Sequence, residues 1–260
     1  MTTNDSEAME LKADDNNEVA LEALQVEYSA MASWYDSFWA DYLNKTFVWP
    51  LRLVSSFILD RTRKQQENDE RIHKKPITVV DVACGTGEFV KRLQSLQEEE
   101  EDTSVRFVGI EPCPEMLERA KQKQQPAATA QWIQATAESL PLDDASADII
   151  CSTNAFHFFR NKPLALAQMY RVLRRDSGRL VITDWCADAL TVRWYHLFEW
   201  VRWNLFGRFR HQYPGPLRAT VLQQLVEEAG FQNVTVESYQ VRFWTFVPWG
   251  MQTVTATKSC

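Results

Sequence analysis

The spacing of apolar and polar residues divides the chain into two parts. From Val26 to Asp60 the sequence is rich in aromatic and other apolar residues, which predicts helices broken near Pro50. From Ile77 onward, short β-branched runs alternate with helical stretches. Because the strands are apolar enough to be buried, this alternation predicts an α/β fold whose sheet is covered by helices on both faces.

The second part contains most of the predicted regular structure. The predicted strands are Ile77–Val82, Val105–Ile110, Gln131–Gln134, Asp148–Ser152, Leu180–Thr183 and Val234–Val236. The predicted helices between them are Glu88–Leu96, Pro114–Gln122, Pro163–Leu173 and Leu222–Ala229. Mixed charges in Arg61–Lys75 predict an exposed helix end and loop that links the two parts, and the acidic run 98–102 predicts a solvated loop.

Composition and charge narrow the class of protein. A length of 260 residues with 45% hydrophobic and 24% charged residues is typical of one globular core. Between Met1 and Glu22 seven acidic residues face one lysine, so most of the net charge of −7 lies there. We therefore expect residues 1–24 to form an acidic disordered tail. The remainder is close to neutral, which argues against nucleic acid as a partner.

The N-terminus and the cysteines bear on location. The chain begins with neither a signal peptide nor a transit peptide pattern, and no apolar run is long enough to cross a bilayer. The cysteines are never in C-x-x-C spacing and the histidines form no H-E-x-x-H motif. We expect a cytoplasmic protein with reduced thiols, no metal and no integral membrane span.

The turn after the first predicted strand carries the first candidate site. A buried strand runs into Gly85-Thr86-Gly87 and then into a helix, so the backbone is open to a ligand and the helix N-terminus offers N–H groups. Asp81 precedes this turn, and a carboxylate there suits a ligand that carries an ammonium group. Val90 occupies the position of the third glycine of a dinucleotide-binding fingerprint, which disfavours NAD. A tight strand-to-helix turn without a ligand remains the alternative.

A second candidate follows the next strand. Glu111 comes directly after Val105–Ile110, where parallel strands open a ligand crevice, and its carboxylate can accept hydrogen bonds from two ribose hydroxyls. Its alternative role is to cap the helix after Pro112. The order of turn and acid indicates a nucleoside ligand.

These motifs resemble those of class I S-adenosylmethionine-dependent methyltransferases. Asp81-x-x-Cys84-Gly85-Thr86-Gly87 is similar to their first motif and Gly109-Ile110-Glu111-Pro112 to their second. Further segments resemble the family in the expected order, namely 137–142, 154–159 and 171–182. The resemblance implies a Rossmann-like, seven-stranded, mostly parallel sheet, S-adenosyl-L-methionine as cofactor, and a methyltransferase domain over residues 76–260 preceded by an N-terminal helical lid over residues 25–75.

The resemblance also implies which residues bind the cofactor. The glycine backbone lies near the methionine part, Glu111 near the ribose and Ala137 near the adenine. The implied cofactor-binding residues are Tyr28, Tyr35, Asp81, Ala83, Cys84, Gly85, Gly87, Glu111, Pro112, Met116, Thr136, Ala137, Glu138 and Asn154. The sequence departs from the family at Thr136, where Asp is frequent, and Thr136 or Glu138 is then the candidate partner of the adenine amino group.

Catalysis needs few protein groups in this family, because positioning the acceptor against the methyl group supplies most of the acceleration. His157 is the first candidate base, with packing among phenylalanines as its alternative. Tyr35 is the second candidate, touching either the cofactor or the acceptor.

The region 188–218 is an aromatic, arginine-rich helical insertion before the sixth strand. It fits a cap over an anionic or aromatic acceptor, a partner surface, a helix lying on anionic lipid, or simple core packing. We expect a methyltransferase acting on a small molecule, hydrophobic or anionic, with peripheral membrane contact left open. The alternative is a catalytically silent cofactor-binding partner subunit. The acceptor atom and the oligomeric state are not determined by the sequence.

Overall fold

The computed structural model describes residues 21–67, 76–98, 105–124, 130–206, 215–243 and 247–259. The predicted acidic tail lies outside these residues except for 21–24, and so does the predicted acidic loop after Glu98. Within the predicted insertion, residues 207–214 also lie outside them.

The described strands form one seven-stranded sheet in the order β3-β2-β1-β4-β5-β7-β6. Their bounds are β1 Ile77–Val82, β2 Val105–Ile110, β3 Ala130–Ile133, β4 Ile149–Thr153, β5 Arg179–Trp185, β6 Gln232–Phe243 and β7 Val247–Thr257. Strands β1 to β5 are parallel, whereas β7 runs antiparallel to both β5 and β6. The predicted Rossmann-like, mostly parallel sheet is confirmed.

Helices precede, connect and follow the strands. They are α1 over residues 21–31, α2 Tyr35–Phe38, α3 Ala40–Thr46, α4 Val48–Glu67, α5 Glu88–Glu98, α6 Pro114–Lys123, α7 Lys162–Val172, α8 Leu190–Phe206 and α9 Ala219–Glu228. A short 3-10 helix, Phe156–Phe158, follows β4. Local sequence sets some of these starts: α6 begins with Pro114 at its first position, and the side chain of Asn161 caps α7 by accepting from the backbone N–H of Leu164 at 3.0 Å.

The two faces of the sheet bury separate apolar clusters. On one face α4 and α5 cover the strands, with Ile58 and Leu93 fully buried beside Val79. On the other face α7 and α9 cover them, with Met169 buried beside Val80. Adjacent residues of β1 thus serve opposite clusters, as the two-residue period of a strand requires. Helices therefore pack on both faces of the sheet and leave its carboxyl edge as the place where a ligand site can form.

One sequence expectation needs correction. The mixed charges of 61–75 predicted an exposed helix end and loop, but α4 continues to Glu67 and buries Thr62 and Gln65. Arg61 lies 3.6 Å from the buried carboxylate of Asp148, so this charged residue of α4 forms an ion pair with the edge of the sheet. The segment up to residue 67 therefore packs rather than links.

Candidate functional site

The turn after β1 is shaped by hydrogen bonds and by two glycines. The backbone N–H of Cys84 donates to the carbonyl of Ile110 at 3.0 Å, and that of Gly87 donates to the carbonyl of Cys84 at 2.9 Å. Gly85 and Gly87 have φ values of 54° and 72°, a region that side chains rarely adopt. The turn thereby delivers the chain from the buried strand to the start of α5.

The two glycines serve different purposes. A Cβ atom at Gly87 would lie 2.6 Å from the ring of Trp132 and 2.9 Å from Ala120, so packing demands this glycine. A Cβ atom at Gly85 would find its nearest neighbour, Met116, at 3.7 Å. Gly85 also lines the cavity described below, so the open space at this residue can admit a ligand against the backbone.

Glu111 joins the turn to the end of β2. One carboxylate oxygen accepts from the backbone N–H of Gly85 at 2.9 Å and the other from that of Cys113 at 3.0 Å. Burial raises the pKa of Glu111 to about 7, although these two bonds act in the opposite direction. A carboxylate has about four acceptor positions, so two remain for hydroxyl groups of a ligand in the cavity.

A cavity opens at the carboxyl edge of β1, β2 and β4, where a parallel α/β sheet binds ligands. Most of the residues predicted to bind the cofactor line it: Tyr28, Tyr35, Ala83, Cys84, Gly85, Glu111, Pro112, Met116, Thr136, Ala137, Glu138 and Asn154. The sequence therefore located the cavity wall from motifs that are far apart along the chain.

The N-terminal helices cover one side of the cavity. Tyr28 of α1 lies with its ring centroid 6.0 Å from that of Tyr35 and 5.7 Å from that of Phe158. The side chain of Gln25 donates to the carbonyl of Pro112 at 2.9 Å. Aromatic rings and a direct hydrogen bond to the Glu111 loop thus place α1 over the ligand-binding edge. Among the described residues of the predicted lid, those that line the cavity lie between Gln25 and Phe47, since α4 packs on the sheet.

A polar contact ties α2 to the glycine turn. The carboxylate of Asp36 accepts from the hydroxyl of Thr86 at 2.5 Å and lies 2.6 Å from the ammonium of Lys123. Lys123 lies at the end of α6 and also reaches Glu88 at 3.5 Å. Asp36 therefore connects α2 both to the glycine turn and to the end of α6.

Two of the predicted cofactor residues do not line the cavity. Gly87 packs against Trp132, as described above. Asp81 is buried in β1, where one oxygen accepts from the thiol of Cys151 at 3.8 Å and the other has no hydrogen-bond partner among the described residues. Burial raises the pKa of Asp81 to about 8.

His157, the predicted base, does not line the cavity either. It is 1% exposed, its ring stacks on Trp185 at 4.5 Å, and its Nδ1 lies 2.6 Å from the carboxylate of Asp184. The same carboxylate accepts from the backbone N–H groups of His157 and Trp185. Asp184 thus fixes the 3-10 turn after β4, and Phe158 from that turn lines the cavity.

Both polar atoms of the Asn154 side chain are hydrogen-bonded within the protein. Its amide nitrogen donates to Thr46 at 2.9 Å and its oxygen accepts from the hydroxyl of Tyr42 at 2.9 Å. Tyr42 also accepts from the indole N–H of Trp185. Asn154 has a φ of 58°, so it shapes the cavity through its backbone while its side chain holds α3 to the sheet.

The adenine side of the predicted site is already partly hydrogen-bonded. Thr136, Ala137 and Glu138 follow β3 and line the cavity. One oxygen of Glu138 accepts from the backbone N–H of Arg160 at 3.0 Å and from that of Asn161 at 3.3 Å. Thr136 is thus the less committed of the two candidate adenine partners.

Several cavity residues were not predicted from the sequence. Leu24, Gln25, Leu43, Phe47, Thr153 and Phe158 line the cavity, and Asp36 and Trp132 support it. Apolar helix positions such as Leu43 have no local signal that separates a cavity wall from a core. For Trp132 the structure shows the reason for its position: its ring packs against two residues without side chains, Gly87 and Gly109.

The sheet order, the glycine turn and the carboxylate at the end of β2 are together typical of α/β proteins that bind a nucleoside cofactor. The sequence model of the methyltransferase-domain family matches residues 80–182. Curated relatives include the ubiquinone/menaquinone biosynthesis C-methyltransferase UbiE of Campylobacter jejuni, 32% identical over 43% of this chain and 46% of that protein. A demethylmenaquinone methyltransferase of Deinococcus radiodurans is 33% identical over 54% of this chain and 56% of that protein.

A solved structure shares the fold over a longer stretch. It is described as a SAM-dependent methyltransferase, possible histamine N-methyltransferase, from Thermotoga maritima. The two structures superimpose with a TM-score of 0.61 and 18% identity over 89% of this chain and 98% of the Thermotoga maritima chain. The chain spans about half the length of the curated relatives it matches. Residues 80–182 therefore match a methyltransferase-domain family, and the chain shares its fold with the Thermotoga maritima protein.

The described residues include no helix that is both long and apolar enough to span a bilayer. They also include no group of three or more His, Cys, Asp or Glu side chains that could hold a metal ion.

Proposed function

We propose that this protein is an S-adenosylmethionine-dependent methyltransferase that methylates a small, hydrophobic organic molecule by in-line displacement. The observation that supports it most is the bond between Glu111 and the backbone of Gly85, which unites a diol-binding carboxylate with an open glycine turn. When bound, S-adenosylmethionine supplies a methyl group activated on a sulfonium.

The residues around the cavity fit this cofactor. In our proposal Glu111 holds the ribose hydroxyls, Gly85 admits the methionine part against the backbone, and Thr136 and Ala137 border the adenine. One oxygen of Asp81 has no hydrogen-bond partner among the described residues and lies behind the turn, and a cationic ligand in front of it would favour the ionised form of this acid, whose pKa burial raises to about 8.

Positioning and water exclusion are the contributions we assign to the chain. The rings of Tyr28, Tyr35 and Phe158 border the place of reaction and keep water from it. Holding an acceptor near the methyl carbon converts a bimolecular encounter into a unimolecular one. Burial, and then the nearby Glu111, raise the pKa of Tyr35 well above its usual value, so its hydroxyl serves as a hydrogen-bond donor.

We assign His157 a positioning role. Because it lies behind the cavity wall and is held by Asp184, it acts through the turn that carries Phe158. Direct proton removal from an acceptor would require His157 to reach the cavity. A His157→Gln variant separates the two roles: loss of the base lowers kcat and changes its pH profile, whereas loss of positioning raises KM with the profile retained.

The acceptor class rests on two observations. The cavity wall is mostly apolar and aromatic, and curated relatives are named as methyltransferases of ubiquinone and menaquinone biosynthesis. We therefore propose a flat aromatic or quinol-type acceptor, with an aromatic carboxylate as the next class to examine.

The test is methyl transfer from isotope-labelled S-adenosylmethionine to a panel of quinols, phenols and aromatic carboxylates. We expect a labelled product with the wild-type protein and none with Gly85→Arg, whose side chain would enter the cavity. Thermal unfolding of the variant checks that its fold is retained. Tight adenosylhomocysteine binding without turnover on any acceptor would contradict the enzymatic function and favour a cofactor-binding partner subunit.

A further inference from the structure

Helix α8 exposes an apolar stripe on its outer side. Its most exposed large apolar residues are Leu190 (68%), Trp194 (68%), Leu197 (48%), Phe198 (62%) and Val201 (38%). At about 100° per residue these positions fall within one arc of about 100°. We call these five residues the α8 stripe.

The inner side of the same helix is packed. Val192 is fully buried, and the ring of Tyr195 contacts Trp185 at 5.9 Å and Trp249 at 5.4 Å. The helix therefore has its own core contacts against β5 and β7, and the α8 stripe is not needed for them. Exposed apolar patches of this kind mark interaction surfaces.

Charge identifies the kind of surface that the stripe fits. The segment from Thr191 to Arg218 contains five arginines and a single glutamate, within a chain whose net charge is −7. Among them, the Arg193 side chain is exposed on α8. An apolar helix face that contains Trp and Phe, within an arginine-rich segment of sequence, is the composition of a helix that lies in a membrane interface and attracts anionic lipid.

The helix that carries the stripe is linked to the cavity wall through its inner side. Trp185, which contacts α8, donates its indole N–H to Tyr42, and Tyr42 donates to Asn154 at the cavity wall. On α2, beside the cavity-lining Tyr35, Trp34 and Phe38 are also exposed and their rings lie 5.2 Å apart. The inner side of α8 is therefore linked to the cavity wall, and a second pair of exposed aromatic side chains lies next to a cavity-lining residue.

We propose that the α8 stripe docks onto the surface of an anionic lipid bilayer, with Trp194 and Phe198 inserted among the headgroups and Arg193 at the edge of the stripe. The docking surface is inferred from the exposure of the α8 stripe and from the arginine-rich sequence between Thr191 and Arg218. Its consequence, that a lipophilic acceptor reaches the cavity from the bilayer, rests on the proposed function.

The experiment is co-sedimentation of the full chain with phosphatidylcholine vesicles that contain or lack phosphatidylglycerol. We expect partitioning onto the anionic vesicles that weakens with added salt. The double variant Trp194→Ser/Phe198→Ser should reduce the partition constant roughly tenfold or more. Leu96→Ser, which alters an exposed leucine at the far end of α5, is the matched control and should bind like wild type.

A charge variant tests the electrostatic part of vesicle binding. Arg193→Glu should weaken binding to anionic vesicles and leave the weaker binding to neutral ones unchanged, whereas Arg52→Glu on α4 should change neither. The proposal is overturned if the wild-type chain does not partition onto anionic vesicles, or if the double variant partitions as tightly as wild type. It is equally overturned if the chain instead forms a dimer that the double variant dissociates, because the stripe is then an interface between two copies.

Calorimetric titration with adenosylhomocysteine on the same samples keeps the two proposals apart. Vesicle binding without cofactor binding would retain the docking surface and reject the methyltransferase function. Cofactor binding without vesicle binding would do the reverse.

Discussion

The carboxylate of Glu111 accepts a hydrogen bond from the backbone N–H of Gly85 at 2.9 Å. This bond joins the end of β2 to the turn that follows β1, two segments 26 residues apart in the chain. Its second oxygen is held by Cys113 at 3.0 Å, so the acid is oriented before a ligand arrives. Such preorganisation lowers the entropy lost on binding.

The first prediction concerns Glu111→Gln. The amide keeps the size of the side chain but loses the charge, and it places an N–H group opposite a backbone N–H or a ligand hydroxyl. Because hydrogen bonds to charged groups contribute about 1.5 to 3 kcal/mol, adenosylhomocysteine should bind roughly ten to a hundredfold more weakly. Isothermal titration calorimetry measures this, with Glu118→Gln on the exposed side of α6 as the control. Equal affinities of both variants would reject the assigned role.

The pH dependence of binding follows from the same residue. The pKa of Glu111 lies at about 7, and only the ionised form accepts from two hydroxyls. The affinity for adenosylhomocysteine should therefore rise with pH up to about pH 7 and level off above it. Calorimetry across this range checks the curve, and the Glu111→Gln variant should lack this component of it.

Asp81 predicts a pH dependence of stability. Its pKa is raised from 3.8 to about 8, so the folded chain holds this proton more tightly than the unfolded chain. The free energy of unfolding should fall as pH rises from about 4 to about 8, and then show no further loss from this group. Asp81→Asn should flatten this slope and stabilise the protein by about 1 to 3 kcal/mol at about pH 9. Urea unfolding at about pH 5 and about pH 9 measures both.

The control for that prediction is Asp60→Asn, which alters an exposed carboxylate near the middle of α4. It should leave the slope of wild type unchanged. A slope in Asp81→Asn as steep as that of wild type, or steeper, would contradict the burial of an ionisable group at this position.

The two glycines of the turn should respond differently to alanine. At Gly87 the added carbon meets Trp132 and Ala120 at under 3 Å in addition to the strain of a positive φ, so we expect a loss of about 2 to 4 kcal/mol. At Gly85 the added carbon has room, and backbone strain alone should cost about 1 kcal/mol. Chemical denaturation compares the two variants. A larger loss for Gly85→Ala would contradict the packing role of Gly87.

Asp36 should control how long a ligand stays bound. Asp36→Ala removes the contacts of α2 with Thr86 and Lys123, so the aromatic cover opens more readily and adenosylhomocysteine should dissociate roughly tenfold faster. Stopped-flow displacement measures the rate. Asp41→Ala breaks the local pair with Lys45 on α3 and leaves Thr86 and Lys123 with their Asp36 contacts, so it should dissociate at the wild-type rate.

Local sequence was sufficient for the elements with strong apolar runs and clear boundaries. The bounds predicted for β1 and β2 agree with the structure, and α5 and α6 begin where predicted, after Gly87 and at Pro114. Val247–Thr257 was not predicted as a strand, because Pro248 and Gly250 resemble strand breakers. The structure pairs this segment with β5 and β6, and Gly250 is required there because a Cβ atom would lie 2.0 Å from Ala189.

For the site, the sequence was sufficient to locate residues at the cavity but not to give the directions of their side chains. Motif order along the chain was enough to bring Gly85, Glu111 and Thr136 to one cavity, because the carboxyl ends of successive parallel strands meet at one edge. The directions of individual side chains followed no such rule. His157 and Asn154 occupy motif positions, yet one is held by Asp184 and the other by Tyr42 and Thr46, and these partners come from distant elements. Which polar groups face a ligand depends on hydrogen bonds formed across the fold, and only tertiary packing establishes them.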